Sequence, residues 1–290
     1  MLTRLRALIH HANHRLMSSA PTSGTQRVVN ANPACCSIPP VQSDYTPKGV
    51  YKPYAGFDRV YVTGPQSSDM AIVSTFDIFG FYPQTQQGAD KLAVSLNAAV
   101  YMPDFFEGSA PFPLSKFPPQ TDADKNALQA FFAGPAQPEK NIKALVRVGT
   151  ALRADPDVKR IGAYGLCWGG KLAILAGCGE SPVFDAVSAI HPAMLSASDA
   201  DNLSVPLGLF ITKDEPKEEY DSMIRKLSSK SFADKVAYKY YPNMFHGFAA
   251  ARADLKKEDN LKEFEDVYSK LRGFFANAFE RDRGGTQTRL

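Results

Sequence analysis

The segment Tyr164-Gly165-Leu166-Cys167-Trp168-Gly169-Gly170 sets a thiol between two glycines, each two positions away, where an apolar run meets an apolar helix. A sharp strand-to-helix turn tolerates little beyond glycine at those flanking places, because the backbone folds back close to itself there. Arg160 to Tyr164 reads as the strand and Trp168 to Cys178 as the helix. A cysteine in the first turn of that helix meets unpaired backbone N–H groups and the positive end of the helix dipole, both of which favour thiolate over thiol. Such a thiolate can attack an acyl carbon and carry the acyl group covalently. The competing reading makes Cys167 a small buried hydrophobe and the glycines an ordinary turn.

A nucleophile on this kind of turn needs a base, and in chain order the acid and then the histidine follow it. Beyond the first 14 residues the sequence has two histidines, His191 and His246. His246 lies in Tyr241-Pro242-Asn243-Met244-Phe245-His246-Gly247-Phe248, a turn-rich loop after the strand-like Val236 to Tyr241. Asp214 follows the apolar strand Leu207 to Ile211, again at a carboxyl end, where catalytic groups of open α/β sheets gather. Cys167, Asp214 and His246 therefore stand in the order that nucleophile, acid and base require. His191 precedes Pro192 at a strand end and is expected to be structural, since His246 already fills the role of base.

The elements that must position these groups alternate along the chain. Val60 to Thr63, Ala71 to Thr75, Ala99 to Met102, Phe184 to Ile190, Leu207 to Ile211 and Val236 to Tyr241 read as strands, with Arg160 to Tyr164 among them. Gln84 to Ala98, Pro138 to Arg153, Lys217 to Leu227 and Lys256 to Phe279 read as helices. This alternation predicts an α/β fold with a mostly parallel central sheet and helices on both faces. Asp104 to Pro119, rich in proline and phenylalanine, is expected to be a loop over one face, either a surface wrapping or, as preferred here, a pocket wall.

Composition limits what else the chain can be. Its 290 residues, 44% hydrophobic, suit one substantial core, and no run is long and apolar enough for a membrane span. Residues 1–43 hold Arg4, Arg6, Arg15 and Arg27 and no acid, which leaves 29 basic and 30 acidic residues for the remainder. No basic body for nucleic acid follows from that balance. The arginine-bearing, hydroxyl-rich, acid-free opening predicts a mitochondrial transit peptide, with an untargeted tail on a cytoplasmic protein as the alternative. The expected organisation is an extension at 1–43, one α/β domain at 44–280 and a tail at 281–290. Cys35, Cys36, Cys167 and Cys178 lack metal-like spacing and make no disulfide framework.

Taken together, these motifs resemble the dienelactone hydrolase family, particularly its fungal members. The matching segments are the cysteine turn, Asp77-Ile78-Phe79-Gly80, Met102-Pro103-Asp104-Phe105-Phe106, Asp214, and His246-Gly247-Phe248, spread over about residues 45 to 275. The resemblance implies an α/β-hydrolase fold and a Cys-His-Asp triad that cleaves a small-molecule ester or lactone through an acyl-enzyme, without metal or organic cofactor. It makes Cys167 the nucleophile, His246 the base, Asp214 the orienting acid, and the backbone N–H groups of Ile78 and Trp168 the oxyanion donors.

Two departures accompany the resemblance. The family places a glutamate before the Ile-Phe-Gly segment against the resting thiol, and here the shorter Asp77 stands there. Bacterial members clamp a substrate carboxylate with two arginines, where this chain has Glu107-Gly108 and Ala250, with Arg252 the nearby candidate. Phe79, Tyr82, Phe105, Phe106 and Phe248 are the remaining expected substrate contacts, and they favour neutral or aromatic acyl groups. Thioester cleavage or acyl transfer would use the same triad, and a binding or regulatory protein on a hydrolase scaffold is the reading from another class.

Overall fold

Apolar runs of four to six residues, bounded by turns and helices, assemble into one eight-stranded sheet in a computed structural model that describes residues 38–280. The transit-peptide reading, Cys35 and Cys36, and the tail at 281–290 lie outside the described residues. The strands are β1 (Val50–Tyr54), β2 (Phe57–Thr63), β3 (Met70–Thr75), β4 (Ala99–Pro103), β5 (Arg160–Leu166), β6 (Ala186–Ile190), β7 (Leu207–Thr212) and β8 (Ala237–Tyr241). The helices are α1 (Pro83–Leu96), α2 (Asp122–Ala133), α3 (Pro138–Arg153), α4 (Trp168–Ala176), α5 (Lys217–Leu227) and α6 (Glu258–Phe279).

The sheet order is β1-β2-β4-β3-β5-β6-β7-β8. β1 and β2 form an antiparallel hairpin that joins β4 antiparallel, and every pair from β4 to β8 is parallel. Strands β4, β6 and β7 are buried along their whole length, as expected of parallel strands covered on both faces. α1 packs with α6, and α3 packs with α4, so the two pairs form layers on opposite faces. In α6 the buried Phe264, Val267, Tyr268, Leu271, Phe274 and Phe275 follow helical spacing, which lays one apolar stripe on the sheet. Among the described residues no helix is long and apolar enough to cross a membrane.

Strand order reverses between β3 and β5. The chain leaves β3 toward β4 on one side, whereas β5 proceeds to β6, β7 and β8 on the other. Such a switch opens a crevice at the carboxyl ends of the two strands, where α/β sheets bind ligands. Asp77-Ile78-Phe79 follows β3 there and Cys167 follows β5.

Two elements escaped the sequence reading. β1 is half exposed and short, carrying Pro53, and its pattern is too weak to read as a strand. α2 begins with a capping box in which Thr121 Oγ1 accepts from Asp124 N–H at 3.1 Å and Asp124 Oδ2 accepts from Thr121 N–H at 3.1 Å. That Thr-x-x-Asp signal was present, but it sits directly behind the proline-rich loop.

Candidate active site

Cys167 occupies the turn between β5 and α4 with φ 56° and ψ −120°, a left-handed strain that costs a non-glycine residue on the order of 1–3 kcal/mol. Its flanking glycines answer to backbone contact. A Cβ on Gly165 would lie 1.9 Å from the Gly169 carbonyl oxygen, and one on Gly169 would lie 2.4 Å from that of Thr75. Backbone cannot yield as a flexible side chain does. Gly165→Ala is therefore expected to lower stability by more than about 2 kcal/mol, seen as a fall in thermal midpoint, and to remove activity. An unchanged melting curve would mean that the turn has room that this geometry denies.

Hydrogen bonds tie the turn to the segment after β6. Cys167 N–H donates to the Ile190 carbonyl at 3.2 Å, and the Cys167 carbonyl accepts from Ala193 N–H at 2.9 Å. The Trp168 indole N–H donates to the Ala136 carbonyl at 2.8 Å, so the ring is anchored in the core and its backbone N–H begins α4. Cys167 itself is 2% exposed.

The histidine and the carboxylates expected beside it come from the next two loops. His246 follows β8, and its Nδ1 lies 2.7 Å from Oε1 of Glu215, both side chains being fully buried. The other Glu215 oxygen accepts the N–H of Thr212, at the end of β7. Asp214, the acid expected from sequence, accepts instead from the backbone N–H of His246 through Oδ2 at 2.9 Å. Asp214 stands at the carboxyl end of β7 as anticipated, but the carboxylate on the His246 ring is that of the next residue, Glu215. The turn from Thr212 folds back on itself, and the extra methylene lets Glu215 reach the imidazole while Asp214 fastens the backbone. The sequence pointed to Asp214 alone, and Glu215 was missed because only the turn after Thr212 brings it to the ring.

Asp77 is buried behind the third loop. Its Oδ1 accepts from Phe79 N–H at 2.9 Å, which folds the Asp77-Ile78-Phe79 turn. Burial pushes the carboxyl above the usual carboxylate range; the Phe79 N–H, the Arg252 guanidinium, the Ala251 N–H and the His246 ring draw it back. Asp77 thus faces the histidine loop from the loop after β3.

Arg252 is buried as well. Its guanidinium lies 5.4 Å from the Phe79 ring centre and 4.9 Å from that of Phe117, and its Nη1 donates to the His246 carbonyl at 3.1 Å. Phe79 also meets Tyr82 and Phe117 edge to face. The loop from Asp104 covers this corner: Phe112 N–H donates to the Ile78 carbonyl at 2.9 Å, and Pro111 lies over Gly80.

The expected substrate contacts divide. Phe79, Tyr82 and Arg252 are gathered around the loop after β3. Phe248 packs on Tyr241 and on His191, which also meets the His246 ring. Phe105 and Phe106 belong to an interior aromatic cluster with Phe76 and Trp168, joined by Phe57 and Phe131, and there they serve the core. The sequence could not separate these two from the wall residues, since all occupy aromatic-rich loops after strands.

Comparison with known proteins agrees with this architecture. An uncharacterized AIM2 family protein of Schizosaccharomyces pombe is 34% identical over 233 residues, covering 80% of this chain and 92% of its own. A carboxymethylenebutenolidase homolog of Xenopus tropicalis is 29% identical, covering 69% of this chain and 80% of its own. The crystal structure of a dienelactone hydrolase from Anabaena variabilis superposes with a TM-score of 0.54 at 13% identity, covering 79% of this chain and 95% of that one, a likeness of fold. The model of the dienelactone hydrolase family matches residues 59–279, and the chain belongs to that family.

Proposed function

We propose that this protein hydrolyses carboxylic esters or lactones through an acyl-enzyme on Cys167, with His246 as base and acid and Glu215 as the orienting carboxylate. The observation that carries the reading is the strained Cys167 turn together with a fully buried His246–Glu215 pair, at the carboxyl ends of the parallel strands β5, β7 and β8 of one sheet. Strain and buried charge both reduce stability unless the surroundings compensate, and their meeting in one crevice fits a reactive centre.

The steps follow from these groups. His246 Nε2 takes the thiol proton as sulfur attacks the acyl carbon, while Glu215 holds Nδ1–H and balances the imidazolium charge. The backbone N–H groups of Trp168 and Ile78 receive the oxyanion. Collapse breaks the bond from carbon to the alkoxy oxygen, and the imidazolium returns its proton to the leaving group. Water, deprotonated by His246, then adds to the thioester carbon; the second collapse expels the thiol and releases the acid.

Arg252 informs substrate charge. Its guanidinium packs on the Phe79 and Phe117 rings and donates to the His246 carbonyl, so it serves the wall and is poorly placed to receive an incoming carboxylate. A buried carboxylate lacking a partner costs several kcal/mol. Short neutral aryl or alkyl esters, or uncharged lactones, are expected to show higher kcat/KM than lactones bearing a carboxylate. A preference of ~100-fold for the carboxylate, about 2.7 kcal/mol in the transition state, would refute this. The broader test is the mass of the protein after brief exposure to a fast-acylating ester. An acyl adduct on the peptide containing Cys167 is expected, and multiple turnover without any such adduct would remove the covalent step.

A further inference from the structure

We infer that His191 is a positioning residue for the catalytic base, its ring bracing the His246 imidazole at the angle from which Nε2 serves the Cys167 thiol. The inference rests on the thiol hydrolase reading above. It begins with how the base is held. Nδ1 of His246 is tied to Glu215, and its backbone to Asp214 and Arg252. A contact on the ring itself adds to these in setting where Nε2 points.

His191 supplies that contact. Its ring centre lies 5.1 Å from that of His246 with the planes at 64°, and 5.8 Å from that of Phe248 at 68°, so it wedges between the base and the next aromatic of the same loop. The segment that carries it is the one bonded to the nucleophile: Ile190 accepts from Cys167 N–H, and Ala193 donates to the Cys167 carbonyl. One short stretch thus touches both reacting partners and sets their separation.

The backbone is held under strain to do so. His191 adopts φ 39°, uncommon for a residue with a Cβ, and it is fully buried. Its N–H donates to the Phe210 carbonyl at 2.7 Å, and the Tyr220 hydroxyl donates to the Pro192 carbonyl at 3.3 Å, which pins the segment on both sides. A core position asked only to fill space has no reason to combine a polar ring, a positive φ and contact with the base. The sequence reading, which placed His191 as structural, saw a strand end and a proline and could not see what lay across from them.

Two substitutions separate the ring from the backbone. Asparagine tolerates the left-handed region but lacks the ring, whereas phenylalanine keeps a ring but is strained there. His191→Asn is expected to melt near the wild-type temperature, with kcat about 10- to 100-fold lower and KM little changed, the effect of a small misplacement of a catalytic group. His191→Phe is expected to melt lower yet keep kcat within about 5-fold of wild type, since the brace survives. A wild-type kcat in His191→Asn would overturn the inference, as would a folded His191→Phe as slow as His191→Asn. If His191→Phe fails to fold, His191→Asn decides by itself. Cys167→Ala, assayed alongside on the same ester, keeps the two readings apart. If it is inactive while His191→Asn is normal, the brace alone falls; if it is active, the thiol mechanism itself falls.

Discussion

Replacing Cys167 with alanine is expected to lower ester turnover by about 10⁴-fold or more, because the acyl-enzyme cannot form without the sulfur. The side chain lost is small, so stability should fall by no more than about 1–2 kcal/mol, and the melting curve serves as the control for folding. Alanine at φ 56° inherits the strain of cysteine and does not relieve it. His246→Ala is expected to cost a comparable factor, since nucleophile and base act as a unit and their losses do not add. In Cys167→Ala/His246→Ala the rate should therefore match that of either single variant. Undiminished hydrolysis by purified Cys167→Ala protein would sink the assignment, and losses that multiply in the double variant would mean that the two residues act separately.

What could be read from the sequence follows a physical pattern. Strands buried on both faces announce themselves as apolar runs, and β3, β5, β6 and β7 stand within two residues of their expected limits. The nucleophile turn was legible because its glycines answer to backbone contacts, which no other side chain can meet. His246 was legible because so few histidines were available. The residues that went astray are those whose roles depend on how a loop folds back. Asp214 and Glu215 are neighbours with the same chemistry, and only the turn after Thr212 distinguishes them. Phe105 and Phe106 look like wall residues until Trp168 and Phe131 are seen packed against them. Arg252 looks like a free cation until two rings and a carbonyl surround it. Local pattern fixes the direction of the chain, while the partner of a loop side chain comes from another segment.

Glu215→Gln is expected to reduce kcat by about 10³–10⁴-fold, and Asp214→Asn by no more than about 10-fold. The contrast comes from what each oxygen accepts. Asp214 Oδ2 receives the backbone N–H of His246, and the amide oxygen of asparagine can receive the same bond. Glu215 instead accepts twice, from the His246 ring and from Thr212 N–H, on its two separate oxygens. Glutamine has one oxygen to give. Turned toward Thr212, it presents its NH₂ to Nδ1, which must then be unprotonated; the ring proton moves to Nε2, and the ring can no longer take a proton from the thiol. Turned toward Nδ1, it sets NH₂ against the Thr212 N–H and leaves a buried donor unmade, at about 1–3 kcal/mol. In either orientation the negative charge that balances the imidazolium is gone. Steady-state rates of the two variants on one neutral ester, with melting curves for both, decide the matter. A larger loss in Asp214→Asn than in Glu215→Gln would return the acid's role to Asp214, and would mean that the pairing of Glu215 with the ring is structural.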